Sequence, residues 1–120
     1  MPSLDIREAT KADLPAIIVM LADDTLGEDR EDLSEPLDPA YLAAFRAIDA
    51  DPNQQLIVAA QDGAIVVTLQ LIFLPGLYYK GAWRGQIEAV RIARDICNQG
   101  LGAQVQVDAL LARVEKADEA

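Results

Sequence analysis

The sequence predicts an α+β fold in which a mostly antiparallel sheet is flanked by helices. The first observation behind this is the order of the patterned stretches: strand, helix, helix, strand, strand, strand, helix. The second is Asp62-Gly63, a strong hairpin signal between two apolar runs. The third is composition. The 120 residues are 52% hydrophobic and 25% charged, which suits one globular domain spanning residues 1–120. A chain of this length buries roughly two-thirds of its unfolded surface, enough for a core without disulfides or metal.

Leu4 to Arg7 sets Leu4 and Ile6 against Asp5 and Arg7, the alternation of a short strand with one buried face. Thr10 and Asp13 have the spacing of a capping box, and Leu14, Ile17, Ile18 and Leu21 follow on one helical face. This predicts a helix from about Lys11 to Ala22. Pro15 falls in its first turn, where a missing N–H does little damage. Asp38-Pro39 starts a second helix, with an acidic N-cap and proline at the first helical position. Leu42, Phe45 and Ile48 share one of its faces, and Asp51-Pro52-Asn53 ends it.

Gln55 to Gln61 is an apolar run that fits a strand buried on both faces. Ala64 to Leu74 returns as its hairpin partner, with Ile65, Val67, Leu69, Leu71 and Phe73 expected on one face. Pro75-Gly76 closes that strand. Gln86 to Ile92 is the next strand, with Gln86, Glu88, Val90 and Ile92 expected on one face. A final helix has Ala103, Val107, Leu110, Leu111 and Val114 along one side and runs to about Lys116.

Two connections have their own character. Asp23 to Leu37 is acidic and aperiodic, a solvated surface loop or an acidic rim that attracts an amine. Leu77 to Gly85 carries Tyr78, Tyr79 and Trp83 beside Lys80 and Arg84. These aromatics either cover the end of the sheet or line a binding cleft.

Charge and residue types narrow the function. The net charge is −10, which argues against nucleic-acid binding, since that rests on neutralising phosphates. Cys97 is the single cysteine, so no intrachain disulfide forms. Histidine is absent, which removes the commonest metal ligand and the commonest general base, and no metal site is expected. The N-terminus is too charged for a signal peptide, and Ala64 to Leu74 is too short to span a bilayer. The expected setting is the cytoplasm, with no membrane partner.

The most informative stretch is Gln86 to Ala103, QIEAVRIARDICNQGLGA. A strand leads into a turn holding Gly100 and Gly102, and a helix begins directly after. Backbone N–H groups of such a turn and the positive end of the helix both favour an anion. Glycine lets that anion approach the backbone without a Cβ in the way.

With the IREAT opening strand, the helix pair and the Asp62-Gly63 hairpin, this stretch resembles the GNAT superfamily of N-acetyltransferases from Leu4 to about Val114. The family's turn pattern is Q/R-x-x-G-x-G/A, matched here by Cys97, Asn98, Gln99, Gly100, Leu101 and Gly102. The resemblance implies acetyl-CoA as co-substrate. Val90, Arg91 and Ile92 would face its thioester and pantetheine, and Asn98, Gln99, Gly100, Leu101, Gly102 and Ala103 would cradle its pyrophosphate. Glu88 matches a position from which many members supply a general base. Such a carboxylate removes the ammonium proton and works best when burial raises its pKa.

Two departures from the family pattern stand out. Cys97 replaces the usual Gln or Arg at the head of the turn, removing a charge-assisted contact worth roughly 1.5–3 kcal/mol. The C-terminal strands and helix of the family, including the tyrosine that protonates the leaving thiolate, have no counterpart here. The Gln86–Ile92 strand is thereby an edge, and pairing with the same edge of a second copy is the expected cover, giving a homodimer. The implied function is acetyl transfer from acetyl-CoA to a small-molecule amine. The alternative is a non-catalytic module of this fold that binds CoA or dimerises.

Overall fold

A computed structural model of the chain describes residues 4–23 and 31–93, together with Asp108. The expected Gly turn and final helix lie outside these residues. So does the stretch 24–30 of the acidic segment. The elements are β1 (Asp5–Glu8), a 3-10 turn (Lys11–Asp13), α1 (Leu14–Ala22), α2 (Pro39–Ala50), β2 (Gln54–Gln61), β3 (Ala64–Pro75) and β4 (Trp83–Ile92). The four strands form one sheet in the order β1-β2-β3-β4, and every pair is antiparallel.

Local chemistry accounts for most element boundaries. The Asp13 carboxylate accepts hydrogen bonds from the Thr10 backbone N–H at 2.7 Å and from the Thr10 hydroxyl at 3.1 Å. The capping box is formed, but its first turn is 3-10, and regular α-helix begins at Leu14. At the second helix Asp38 Oδ1 accepts from the Ala40 N–H at 2.9 Å, and Pro39 stands in the first turn as expected. Asp51 ends this helix by accepting from the Asn53 N–H and the Gln54 side chain, both at 2.8 Å. Between β2 and β3, Asp62 (φ 52°) and Gly63 (φ 82°) are both left-handed, the conformation that joins two twisted strands in a two-residue turn.

The sheet is apolar on both faces. Ile57, Ala59, Leu69 and Leu71 form one buried cluster. Val58 lies on the other face and packs with Ala9 and Ile17. Ile57, Val58 and Ala59 are all buried, so β2 is covered on both sides as its sequence predicts. Helix α1 buries Leu14, Ile17, Ile18 and Ala22. No residue of α2 is fully buried, and its Leu42, Phe45 and Ile48 face is half-buried.

Bulges break the two-residue period that the sequence suggests. In the β2–β3 pair, Ala59 faces Val67 and Ala60 faces Ile65, which leaves Val66 as an extra residue. Val66 and Val67 therefore join the same cluster, while Ile65 packs with Val58 on the opposite face. Ile65 does not share a face with Val67 as expected. Strict alternation holds only where the partner strand supplies one residue for each residue.

The β3–β4 connection also differs from expectation. Tyr79 (φ 50°, ψ 44°), Lys80 (φ 59°, ψ 39°) and Gly81 (φ 78°) are consecutive left-handed residues, and β4 begins at Trp83 instead of Gln86. Gly76 opposes this turn, where an added Cβ would sit 3.0 Å from the Ala82 carbonyl oxygen. The aromatics do not cover the sheet: Tyr79 is 84% exposed and Trp83 57%. Tyr78 meets the Tyr79 ring edge-on at 5.4 Å, and the Arg84 guanidinium lies 5.8 Å from the Tyr78 ring centre.

One ion pair ties the first strand to the first helix. Arg7 donates to both oxygens of Asp13, at 2.7 and 3.0 Å, and Asp13 is largely buried. The Arg7 hydrogen bond, with help from Thr10, holds the Asp13 carboxyl at about 2 against an ordinary 3.8. A carboxyl lowered on folding stabilises the folded state above its unfolded pKa and loses that effect as pH falls through the folded value. We expect Asp13→Ala to cost about 1–2 kcal/mol in urea unfolding at pH 7. The difference from the parent chain should shrink between pH 4 and pH 2. An equal cost at both ends of that range would contradict the assignment.

Candidate functional site

The site builds outward from a second bulge. In the β3–β4 pair, Gln70 faces Glu88 and Thr68 faces Arg91, so Ala89 and Val90 together oppose Leu69. Ala89 takes up the extra residue with φ 54°, a left-handed conformation that disfavours any residue with a Cβ. Side-chain parity reverses across it. Ile87, Val90 and Ile92 pack on the cluster of Ile57 and Leu69. Glu88 does not share their face: it lies with Gln86, beside Gln70, on the side that carries α1. The expected common face of Gln86, Glu88, Val90 and Ile92 is corrected by this bulge.

Glu88 is exposed, and Gln86 Nε2 donates to Glu88 Oε1. The burial that suits a proton-accepting carboxylate is absent around it among the described residues. Arg91 is half-buried, with Nη1 donating to the Val90 carbonyl at 2.9 Å. The structure places Val90, Arg91 and Ile92 in a strand whose outer edge pairs with no other strand among the described residues. Backbone N–H and C=O groups along such an edge are where an extended ligand adds itself to a sheet. Asn98, Gln99, Gly100, Leu101, Gly102 and Ala103 lie outside the described residues, as does Cys97.

A feature that the sequence reading missed adjoins the bulge. A cavity of about 180 Å³ lies among α1, α2 and the sheet. Ile17, Ile18 and Leu21 of α1 and Tyr41, Ala44, Phe45 and Ile48 of α2 form its sides. Leu56, Thr68, Gln70 and Ala89 of the sheet line it as well. The Tyr41 hydroxyl accepts from the Asp32 N–H at 2.7 Å and donates to Glu31 Oε1 at 2.8 Å. Partial burial raises the Tyr41 phenol above its ordinary value. Glu31 and Asp32 are thereby anchored to a residue of the cavity wall. A wider groove of about 660 Å³ separates the starts of α1 and α2, between Lys11, Pro15, Leu37 and Leu42. It touches no residue of β4, so position, not size, makes the smaller cavity the candidate.

Among the described residues, no three acidic or cysteine side chains stand together as a metal site. Nor is any helix there long and apolar enough to cross a membrane.

Comparison with known proteins bears on the fold. No protein-family model matches the chain, and no curated protein matches it. Solved structures do. A structure described as a transcriptional regulator from Bacillus halodurans C-125 is 43% identical, with a TM-score of 0.87. That match covers 95% of this chain and 76% of the other. A putative acetyltransferase from Agrobacterium tumefaciens str. C58 is 26% identical at a TM-score of 0.75, covering 90% of this chain and 72% of that one. A GNAT family acetyltransferase from Staphylococcus aureus, 18% identical, matches at 0.66 over 91% of this chain and 76% of its own. With its antiparallel sheet flanked by helices and these neighbours, the chain has the fold of GNAT acetyltransferases, and it spans about three-quarters of the length of these structures.

The strained residue at the bulge gives a direct test of its geometry. Ala89→Gly should be neutral or stabilising by up to about 1 kcal/mol, since glycine adopts positive φ without penalty. Ala89→Val should destabilise by about 1–2 kcal/mol or more in urea unfolding. Equal stability of the two variants would show that Ala89 is not held left-handed.

Proposed function

We propose that the protein transfers the acetyl group of acetyl-CoA to a small-molecule amine. The observation that carries this reading is the bulged outer edge of β4, with Glu88 on one side of the bulge and the Val90–Ile92 backbone on the other. Acetyl-CoA fits that edge as an extended chain with amide groups that pair with strand backbone. Val90, Arg91 and Ile92 would hold the thioester and pantetheine, and Asn98 to Ala103 would hold the pyrophosphate, whose charge suits a glycine-bearing helix start.

The chain's own part in the reaction follows from chemistry. The neutral amine nitrogen attacks the thioester carbonyl carbon, forming a C–N bond as the C–S bond breaks. Glu88, directly or through one water, takes the proton that the ammonium must lose. The CoA thiolate leaves with the bonding electron pair and takes up a proton. No described residue is assigned as the donor. The protein's single cysteine and the family's chemistry favour a cytoplasmic setting.

A second reading, a CoA-binding module without turnover, is favoured by the exposure of Glu88. The name of the 43% identical neighbour does not bring nucleic acid with it, because a net charge of −10 opposes binding along the phosphate backbone of a duplex. The β4 edge, which pairs with no other strand among the described residues, also supports a two-fold dimer through residues 86–92 of two copies.

Calorimetric titration of the 120-residue chain with acetyl-CoA should give saturable binding that Gly100→Asp abolishes. No binding at millimolar cofactor would sink both readings. Release of CoA thiol in the presence of amines should fall about 10²–10⁴-fold in Glu88→Gln if Glu88 is the base. Binding with no release for any amine would leave the non-catalytic module. Light scattering should show a dimer whose mass falls on dilution, and a monomer mass at every concentration would contradict the paired edges.

A further inference from the structure

We propose that the acceptor is a primary amine carrying a compact apolar group, and that the cavity between α1 and α2 seats that group. This rests on the acetyl-transfer reading, and it adds a substrate class to it.

The first argument is position. The cavity reaches Ala89 and Gln70. Glu88 directly precedes Ala89, and it is the register partner of Gln70. The cavity therefore adjoins the strand position of the proposed proton acceptor. A molecule with its apolar body between the helices would present its other end to the β4 bulge.

The second argument is the chemistry of the wall. Ile17, Ile18, Phe45, Ile48 and Leu56 supply hydrocarbon. The polar side chains in the lining are engaged with the protein itself. The Thr68 hydroxyl donates to the Ile57 carbonyl at 3.2 Å, and Gln70 Nε2 donates to Gln54 Oε1 at 2.7 Å. The Tyr41 hydroxyl is held between Glu31 and the Asp32 N–H. Such a wall has few groups to replace the water shell of a sugar or a polyamine, and burying those polar groups unmatched is unfavourable. Hydrocarbon loses nothing of that kind on entering.

The third argument is size. An apolar cavity of about 150 Å³ accepts benzene. One of about 180 Å³ accommodates a phenyl ring or a branched chain of similar bulk. The carboxylate of Glu31, held by Tyr41 of the cavity wall, favours a cationic ligand over an anionic one. Phenethylamine and isoamylamine are representatives of the class. Spermidine, glucosamine and lysine are its polar counterparts.

The test combines binding and turnover on the 120-residue chain. Phenethylamine should bind saturably in ligand-observed NMR, and with acetyl-CoA present it should be acetylated with kcat/KM at least ~10-fold above each polar amine. Ala44, an exposed position on the cavity wall, is the place to fill the space. Ala44→Phe should lower the phenethylamine-to-methylamine ratio of kcat/KM by ~10-fold or more, and should abolish phenethylamine binding. If no amine is acetylated but phenethylamine binds and Ala44→Phe abolishes it, the cavity assignment stands and the transferase reading falls. Acetylation that favours the polar amines would overturn the assignment while leaving acetyl transfer intact. Absence of phenethylamine binding, or binding indifferent to Ala44→Phe in a variant with parental melting behaviour, would overturn it as well.

Discussion

In β4 two residues, Ala89 and Val90, occupy the space opposite the single residue Leu69, and the arrangement of the candidate site follows from that mismatch. Without it, Glu88, Val90 and Ile92 would share one face of the sheet. With it, Val90 and Ile92 stay anchored in the cluster of Ile57 and Leu69, while Glu88 turns to the side carrying α1 and the cavity. The strand can then be held firmly by the core and still present a carboxylate to the other side. The left-handed conformation of Ala89 is the local cost, about 1–2 kcal/mol, and the paired residues on either side hold it in place.

The remaining architecture supports that strand. β2 and β3 are buried on both faces at their centres and form the rigid part of the sheet. The Asp62-Gly63 turn sets the register of β2 against β3, and Val66 resets it by one residue. Arg7 and Asp13 fasten α1 to the first strand, so α1 keeps its position over the sheet. α2 rests on the sheet by a half-buried face, which leaves the space between the helices open. Tyr41 links that helix to the acidic segment, so the charge at Glu31 is positioned by the same element that lines the cavity.

Much of this was legible in the residues. Thr10 with Asp13, Asp38 with Pro39, and Asp62 with Gly63 are short-range signals whose hydrogen bonds or dihedral angles are fixed within three or four residues. The apolar run of β2 announced a doubly covered strand for the same local reason. The bulges at Val66 and Ala89 were not legible, because the partner strand decides them and neither residue type carries a signal for it. Their effect is to move Ile65 and Glu88 off the faces that simple alternation assigns. The left-handed run at Tyr79 and Lys80 was hidden too, since neither residue favours positive φ. The cavity depends on the separation of two helices far apart in sequence, a property that no single stretch contains. The glycine turn, read from its motif, lies outside the described residues and rests on the sequence and its resemblance alone.

The central claim is that the backbone of β4 beyond the bulge receives acetyl-CoA. Residue-resolved amide hydrogen exchange, with and without saturating acetyl-CoA, tests it most directly. The account predicts slower exchange at amides of residues 89–92 on addition of cofactor, with little change in β2. Cofactor binding that leaves residues 89–92 exchanging at the unliganded rate would contradict it.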